Sequence, residues 1–439
     1  DPWEKQKRDY LALLDYYKDL NFNAVIVQIR TAGDAFYPSN YAPWSKYLTG
    51  AQGVAPQTQE NPLTWMIKEA HDRGLEFHAW LNPYRATMDL NTEELSKSHD
   101  FYQHRDWMRK YGTKWYYDPG LPEVKNHLLA IIREVVSNYD IDAIHFDDYF
   151  YPYREPQQEF PDKATYNKYK QPGQSLEDWR RQNVNELIFA LNQTIKSTKP
   201  WVQFGISPFG VWRNQDKDPK GSPTRAGQTN YDDLFADVLL WMKNGWIDYL
   251  IPQLYWSMEH PLASYRKLSD WWSNNSYNTN IYIGNGPYKI REDSDAAWKN
   301  PSEITTQVNY TRTFTQINGN AFFSAKSMYV KNQDVAALLK KEVYDRPTLP
   351  PSFAPKSASI IDVPVVLDVK SNSEKTQIQL EKPLDPAIRY AMVQGGNELD
   401  TLHEAIIHTA WVGGSRVRYL EVPSLNTDYL AIRWIDHYG

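Results

Sequence analysis

Hydrophobic and polar positions along the chain alternate between two periods. Over residues 4–20 the apolar side chains Tyr10, Leu13, Leu14, Tyr17 and Leu20 recur at the three- and four-residue spacing of one helix face. Asn21-Phe22-Asn23 stops that helix, and the run Ala24-Val25-Ile26-Val27-Gln28-Ile29-Arg30 reads as a short strand. The unit then repeats. Helical periods at 62–72, 122–139, 176–197, 231–243, 262–273 and 302–317 lead into apolar runs at 75–81, 142–147, 202–207, 247–254, 281–284 and 321–325, and a last helix is predicted over 333–343. Gly74, Asn244-Gly245 and Asn318-Gly319 stand at helix ends, where such residues accept the left-handed turn that closes a helix.

Helices alternating with short, nearly continuous apolar strands predict a parallel sheet covered on both faces. Seven strands of this kind point to an α/β fold, a TIM (β/α)8 barrel over 1–345; an open doubly wound sheet is the alternative. Eight helices but only seven strands are predicted, and the sequence opens on a helix, at Asp1 and without Met. The first barrel strand is therefore expected just upstream, with the N-terminus processed or trimmed. After Tyr344 the texture changes. Residues 346–355 hold prolines at 347, 350, 351 and 355 and read as a linker. Beyond it, β-type runs at 360–369, 376–380, 389–393, 405–408, 416–422 and 429–434 predict a small β-sandwich of immunoglobulin or fibronectin type over 356–439.

Composition narrows the chemistry. A net charge of −6 over 439 residues, with the two signs interspersed, argues against nucleic acid as a partner. The absence of cysteine excludes disulfides, thiolate nucleophiles and Cys-bound zinc. No run approaches the ~20 apolar residues that span a bilayer, so no transmembrane segment is expected. There are 17 Trp and 31 Tyr against 15 Phe. Rings with a polar handle suit surfaces that are half apolar and half wet, as a sugar-binding site is, although a Trp-rich core would give the same count.

In a parallel barrel the reactive side chains project from the C-terminal strand ends. The first visible strand ends at Arg30, fitted to hold a carboxylate or a hydroxyl, or to make a salt bridge at the mouth. The second leads through His78, Trp80 and Asn82, which alternation puts on one face, to Tyr84 and Arg85; this aromatic, amide and guanidinium set suits a polyhydroxylated ligand. The third ends Phe146-Asp147-Asp148-Tyr149. Two carboxylates closing a buried strand are costly unless used, and glycosidic cleavage uses carboxyl groups as proton donor and as nucleophile, base or stabiliser. Alternation predicts that only one of the two enters the site directly. The Tyr- and Pro-rich loop 149–174 is either a stacking platform or a surface excursion. The fifth strand leads to Gln253, Tyr255, Trp256 and Glu259. There Glu259 is a candidate proton donor, Tyr255 a donor to developing charge, and Trp256 a stacking or packing ring. The sixth ends at Asn285 with no carboxylate. No Gly-x-Ser-x-Gly elbow, His-Glu-x-x-His pair or Gly-x-Gly-x-x-Gly turn is present, which lowers esterase, zinc-peptidase and nucleotide readings.

The segments Asn-Phe-Asn-Ala-Val-Ile-Val-Gln-Ile-Arg (21–30), His-Ala-Trp-Leu-Asn-Pro (78–83), Asp-Pro-Gly-Leu-Pro-Glu-Val (118–124), Ile-His-Phe-Asp-Asp-Tyr-Phe-Tyr-Pro (144–152) and Pro-Gln-Leu-Tyr-Trp (252–256) resemble the glycosyl-hydrolase-like 10 family, over roughly residues 3–345. The resemblance implies a glycoside hydrolase of the bacterial envelope acting on a polysaccharide, with peptidoglycan glycan strands as one substrate. It also implies an extracytoplasmic site of action with a lipid anchor upstream of Asp1, a first strand of Arg-Gly-Val-Trp type, which this sequence lacks, and a fibronectin-like tail. Asp118 joins the candidate ligand set through its motif. Two mechanisms are open. Either Asp147 or Asp148 works with Glu259 as acid, or one aspartate holds the acetamido group of an N-acetylated sugar while the other protonates the leaving oxygen with help from Tyr255. Neither needs a metal or other cofactor. The competing expectations are a non-catalytic glycan-binding protein and a structural envelope protein.

Overall fold

The computed structural model describes residues 2–353, 362–399, 408–413, 418–424 and 427–439. Seven strands lie side by side in chain order: β1 (Ala24–Arg30), β2 (Glu76–Leu81), β3 (Ala143–Phe146), β4 (Gln203–Ile206), β5 (Tyr249–Leu250), β6 (Asn280–Asn285) and β7 (Ile317–Phe322). From β2 to β7 every neighbouring pair is parallel. Ala143, Tyr249 and Ile251 form an inner cluster onto which Ile26 of β1, Tyr282 of β6 and Ala321 of β7 also pack. Residues from both edges of the sheet meeting on one cluster means that the sheet curls. The Tyr249 hydroxyl reaches His78 of β2 (2.8 Å) and His145 of β3 (3.0 Å) across that interior. Glycine at 205 is required by this ring: a Cβ there would lie 1.9 Å from it. Closure into eight strands would need one more between β1 and β7, and none occupies that place among the described residues.

The helices that alternate with these strands are α1 (Trp3–Asp19), α2 (Pro62–Asp72), α3 (Pro122–Asn138), α4 (Leu176–Thr198), α5 (Val238–Lys243), α6 (Tyr265–Asn274), α7 (Glu303–Thr311) and α8 (Gln333–Glu342); Lys46–Thr49, Asp100–Gln103 and Lys163–Tyr169 form further short helices. Their starts follow local chemistry. Pro122 opens α3, and the Ser175 and Ser264 hydroxyls accept from the backbone N–H of Asp178 and Lys267 to cap α4 and α6. In α3 the residues Val124, Leu128, Ile131, Ile132 and Val135 form one buried stripe; each such side chain contributes roughly 1.5–3 kcal/mol by leaving water.

The helix predicted over 231–243 is helical only from Val238, because Phe235 sits at φ 54°, a conformation no helix continues through. The helix predicted over 302–317 ends at Thr311, and Asn318-Gly319 belong to β7. The Asn318 side chain accepts from Ile281 N–H at 3.1 Å, and Gly319 lies against the Tyr282 ring, so here Asn-Gly serves the sheet rather than a helix end. The run 247–254 shortens to two paired residues, since Pro252 has no N–H to give. Sequence periodicity missed a hairpin, Met108–Tyr111 with Lys114–Tyr117, turned at Gly112 (φ 53°), and a helix, Lys163–Tyr169, inside the predicted loop.

The chain divides into two compact units. One comprises Asp1–Tyr10, Ile26–Met66 and His78–Leu338; the other comprises Leu11–Val25, Ile67–Phe77 and Leu339–Gly439. The second contains two antiparallel three-stranded sheets. In the first sheet β9 (Lys375–Leu380) lies between β8 (Val366–Ser371) and β12 (Tyr419–Pro423); in the other β10 (Ile388–Gly396) lies between β11 (His408–Trp411) and β13 (Tyr429–Asp436). Ile378, Leu380, Ala391, Val393, Leu420 and Val422, from both sheets, form one core. The predicted strand at 405–408, the start of that at 416–422 and the linker end at 354–355 fall largely outside the described residues.

Candidate active site

Three strand ends are tied together by one side chain. Gln253, after β5, donates from Nε2 to Asp147 Oδ1 (2.8 Å), after β3, and to the Ser207 carbonyl (2.8 Å), after β4. β3 ends at Phe146, so the strand alternation that would have sent Asp147 and Asp148 to opposite faces does not reach them. Asp148 N–H instead folds back onto Asp147 Oδ1 (2.9 Å), and the two side chains interact electrostatically. Both aspartates therefore lie at the same strand end, beside Gln253. Asp148 is buried, 2% exposed, and accepts a hydrogen bond from the Tyr153 hydroxyl; Asp147 is partly exposed.

Their environments push the two groups apart. Burial and then the neighbouring negative charge of Asp147 raise Asp148 well above the usual carboxylate range, against the pull of Tyr153. Burial also raises Asp147, but the Asp148 N–H and side chain, the Gln253 amide and the Arg85 charge all favour its ionised form. Such a pair keeps one proton more readily than none, and the sites release protons as a unit.

Aromatic groups surround the pair. The Arg85 guanidinium lies 4.1 Å from the centre of the Tyr149 ring, and among the described residues its Nε has no hydrogen-bond partner. Tyr149 contacts Tyr153 (6.0 Å between ring centres), Tyr153 meets Phe209 edge-on (6.4 Å), and Phe209 meets Trp256 (5.5 Å). Burial, then Asp147, raise the Tyr255 hydroxyl well above its ordinary range, and Asp148 and Tyr149 add to this. Tyr255 therefore stays a donor within electrostatic reach of both aspartates. Trp80 is half-buried and donates to Asn82 Oδ1 (3.1 Å), while Asn82 gives its own amide to the Thr31 carbonyl (3.1 Å). Tyr153 and Phe209 were not anticipated from sequence. Tyr153 lies five residues past Asp148 in the chain and reaches it only because the loop doubles back.

Other predicted residues are committed elsewhere. Glu259 is exposed and paired with Arg266 (2.7 Å); no contact among the described residues joins it to the aspartates. Asp118 is fully buried and held by Arg109 (2.8 Å), Thr165 (2.5 Å) and Gly120 N–H (3.0 Å). Asn285 is fully buried, with its amide shared among Tyr265, Gln307 and Asn320. Tyr84 is 1% exposed. His78 lies in the sheet interior on Tyr249; its partner across that ring, His145, is lowered to about 3 by burial and by His78, and so stays neutral. Arg30 is buried and reaches the Tyr117 hydroxyl (3.3 Å), which donates to Asp100 (2.6 Å), itself 2.9 Å from His127. Asp118, Asn285 and His78 spend buried polar groups on neighbouring side chains, as burial demands, whereas Arg30 keeps buried Nε and Nη1 atoms with no hydrogen-bond partner among the described residues. Among the described residues no group of three His, Asp or Glu side chains is placed to hold a metal ion, and no helix is long and apolar enough to cross a membrane.

Comparison with known proteins adds the following. The profile of the family described as glycosyl hydrolase-like 10 matches residues 2–300. Glycosyl hydrolase YngK of Bacillus subtilis (strain 168) is 48% identical over 372 residues, which cover 82% of this chain and 72% of that protein. Glycosyl hydrolase DigH of Escherichia coli (strain K12) is 39% identical over 334 residues, 72% of this chain and 75% of that protein. Among solved structures, the glycoside hydrolase domain of PgaB (BpsB) from Bordetella bronchiseptica aligns with 77% of this chain and 94% of its own, at a TM-score of 0.52 and 14% identity, a likeness of fold.

Proposed function

The chain belongs to the glycosyl hydrolase-like 10 family, and from that premise we propose that it is a glycoside hydrolase cleaving N-acetylated glycans, peptidoglycan strands among them, by substrate-assisted catalysis. The observation that carries this reading is the adjacent aspartate pair itself, with Asp148 N–H donating to Asp147 Oδ1 (2.9 Å) and the charge of Asp147 raising Asp148. Retaining enzymes with an enzymic nucleophile hold their two carboxyls about 5–5.5 Å apart and inverting ones about 6.5–9.5 Å. We read neighbouring aspartates at one strand end, joined through a backbone N–H, as a pair too close for either arrangement, and Glu259 is engaged by Arg266. An adjacent pair does suit a substrate that brings its own nucleophile. Asp148, which keeps its proton, gives it to the glycosidic oxygen as the C1–O bond breaks. The acetamido carbonyl oxygen bonds to C1, and the positive charge left on the acetamido group is met by ionised Asp147. Water then attacks C1 as the bond from C1 to the acetamido oxygen breaks, and its proton passes to Asp148, with net retention. Tyr255 and Gln253 hold Asp147 and the sugar; Trp80, Tyr149 and Trp256 offer ring faces, and Arg85 favours the ionised state of Asp147. A peptidoglycan substrate places this work outside the cytoplasm. We read the curled sheet as a barrel of TIM type and β8–β13 as a β-sandwich appendage.

The test is a panel of stem-free peptidoglycan strands, peptidoglycan with stem peptides, chitin oligomers, and neutral α- and β-glucans, followed by release of reducing ends. Cleavage confined to N-acetylated members is expected. Binding without cleavage of any member would sink the reading and leave a glycan-binding protein. The pH profile carries a further prediction. The Tyr153 hydroxyl stabilises the ionised form of Asp148, so Tyr153→Phe raises that group further. A general acid works only while protonated, hence the alkaline limb of kcat/KM moves to higher pH in Tyr153→Phe. A limb that stays put or moves down would separate Asp148 from the acid role.

A further inference from the structure

Two large rings stand exposed near the C-terminal ends of β6 and β7: Tyr288 is 37% exposed and Phe323 48%. Scattered surface aromatics need no explanation, but these two pack on each other and on the same residue, Tyr255. Phe323 N–H donates to the Asn285 carbonyl (3.0 Å), and the Asn285 side chain is locked by Tyr265, Gln307 and Asn320. Tyr288 rides on the turn Pro287–Lys289, where the Pro287 carbonyl accepts from buried Asn332 (3.0 Å). The two rings meet edge to face, 5.9 Å between centres at 85°. Both also touch Tyr255: Tyr288 edge-on at 5.7 Å, and Phe323 at 6.3 Å within 24° of parallel. A Cβ on Gly286 would come to 3.1–3.3 Å of Tyr288 and Tyr255, so the absence of a side chain there lets both rings close over the backbone.

Rings held exposed on a fixed backbone lose little freedom when a ligand covers them. Their neighbour Tyr255 is the same residue that faces the aspartate pair, so a chain held at the pair runs onto them without a gap. Tyr255 and Phe323, 6.3 Å between centres and within 24° of parallel, offer ring faces of the kind that stack on a sugar.

We infer that Tyr288 and Phe323, with Tyr255, form a stacking subsite for a sugar residue beyond those flanking the cut bond, and that the substrate is therefore an extended glycan chain rather than a disaccharide. This rests on the glycosidase reading above.

Binding in the Asp148→Asn protein, where turnover is removed, tests it. The probes are β-1,4-linked N-acetylglucosamine oligomers from dimer to hexamer and stem-free peptidoglycan strands of matching lengths, titrated by calorimetry. In the parent, affinity rises with length. Phe323→Ala or Tyr288→Ala weakens the long oligomers by about tenfold, the scale of one well-placed aromatic contact, and flattens the dependence on length. Phe323→Trp restores it. Long oligomers that bind the alanine variants as tightly as the parent overturn the subsite while leaving the glycosidase reading intact. If no probe of any length binds the parent, and wild type cuts none of the glycan panel, the glycosidase reading fails and the subsite with it.

Discussion

Asp148→Asn lowers kcat on the susceptible glycan by about 100- to 10,000-fold, the range that loss of a positioned proton donor produces, and keeps glycan binding. Asparagine is nearly isosteric and still accepts the Tyr153 hydroxyl, so the site keeps its shape; what it loses is a proton that can be handed to the glycosidic oxygen. The deficit therefore shrinks for aryl glycosides whose leaving group needs no protonation. A variant with full activity on the natural glycan would remove Asp148 from the chemistry.

The same substitution has a stability signature of defined sign. Burial and Asp147 raise Asp148 in the folded protein, so the folded state binds this proton more tightly than the unfolded chain. The stabilisation this gives is complete below the unfolded value, about 3.9 for an aspartate, and is lost as pH rises toward the folded value. At neutral pH wild type thus carries a buried, strained pair that the asparagine variant lacks. Asp148→Asn is expected to be the more stable protein in urea at pH 7, and its advantage disappears below about pH 4. A destabilised variant, or an advantage that does not change with pH, would show that the pair costs the fold nothing. Functional sites commonly sit at such a cost to stability.

The sequence made the repeat legible because strands buried on both faces leave nearly unbroken apolar runs: the expected 24–30 and the observed Ala24–Arg30 coincide. It made Asp147 and Asp148 legible because two acids directly after such a run are conspicuous. It could not show that Asp148 N–H folds back onto Asp147, since strand alternation argues the opposite and only the end of β3 at Phe146 releases them from it. Strand ends were legible as positions, but not which polar side chains there face the ligand and which hold the mouth together. Asn82 and Asn285 look alike in sequence, and both are fully buried and spent, the first on Trp80 and Thr31, the second on Tyr265, Gln307 and Asn320. Asp118 and Tyr84 were read as ligands, yet the first is a buried ion-pair partner of Arg109 and the second is packed away. Aromatic composition pointed toward sugar without saying which rings. Trp241, Trp272 and Trp298 are fully buried, while Tyr288 and Phe323 stand in water, and nothing in residue type or spacing separates the two groups.

The remaining large effect belongs to Asp147. If the acetamido oxygen is the nucleophile, a positive charge develops on the acetamido group and must be met by a carboxylate already in place. Asp147 is so placed: the Gln253 amide and the Asp148 N–H orient it, and Arg85 favours its ionised form. Asp147→Ala should cost about 100- to 1,000-fold in kcat, comparable with losing one preorganised electrostatic contact at a developing charge. The loss falls on kcat more than on KM, because the contact strengthens only as the charge appears. Two further readouts separate this role from that of an ordinary nucleophile or base. A thiazoline mimic of the cyclised sugar binds wild type tightly and the alanine variant weakly, and azide does not rescue the variant by forming a glycosyl azide of inverted configuration. Proton NMR of the first-formed product shows the anomer of the substrate retained. An inverted product would assign Asp147 to activating water. Equal rates on glycans with and without the N-acetyl group would remove the acetamido nucleophile altogether, and the aspartate pair would then need a different chemistry to explain why one of them keeps its proton.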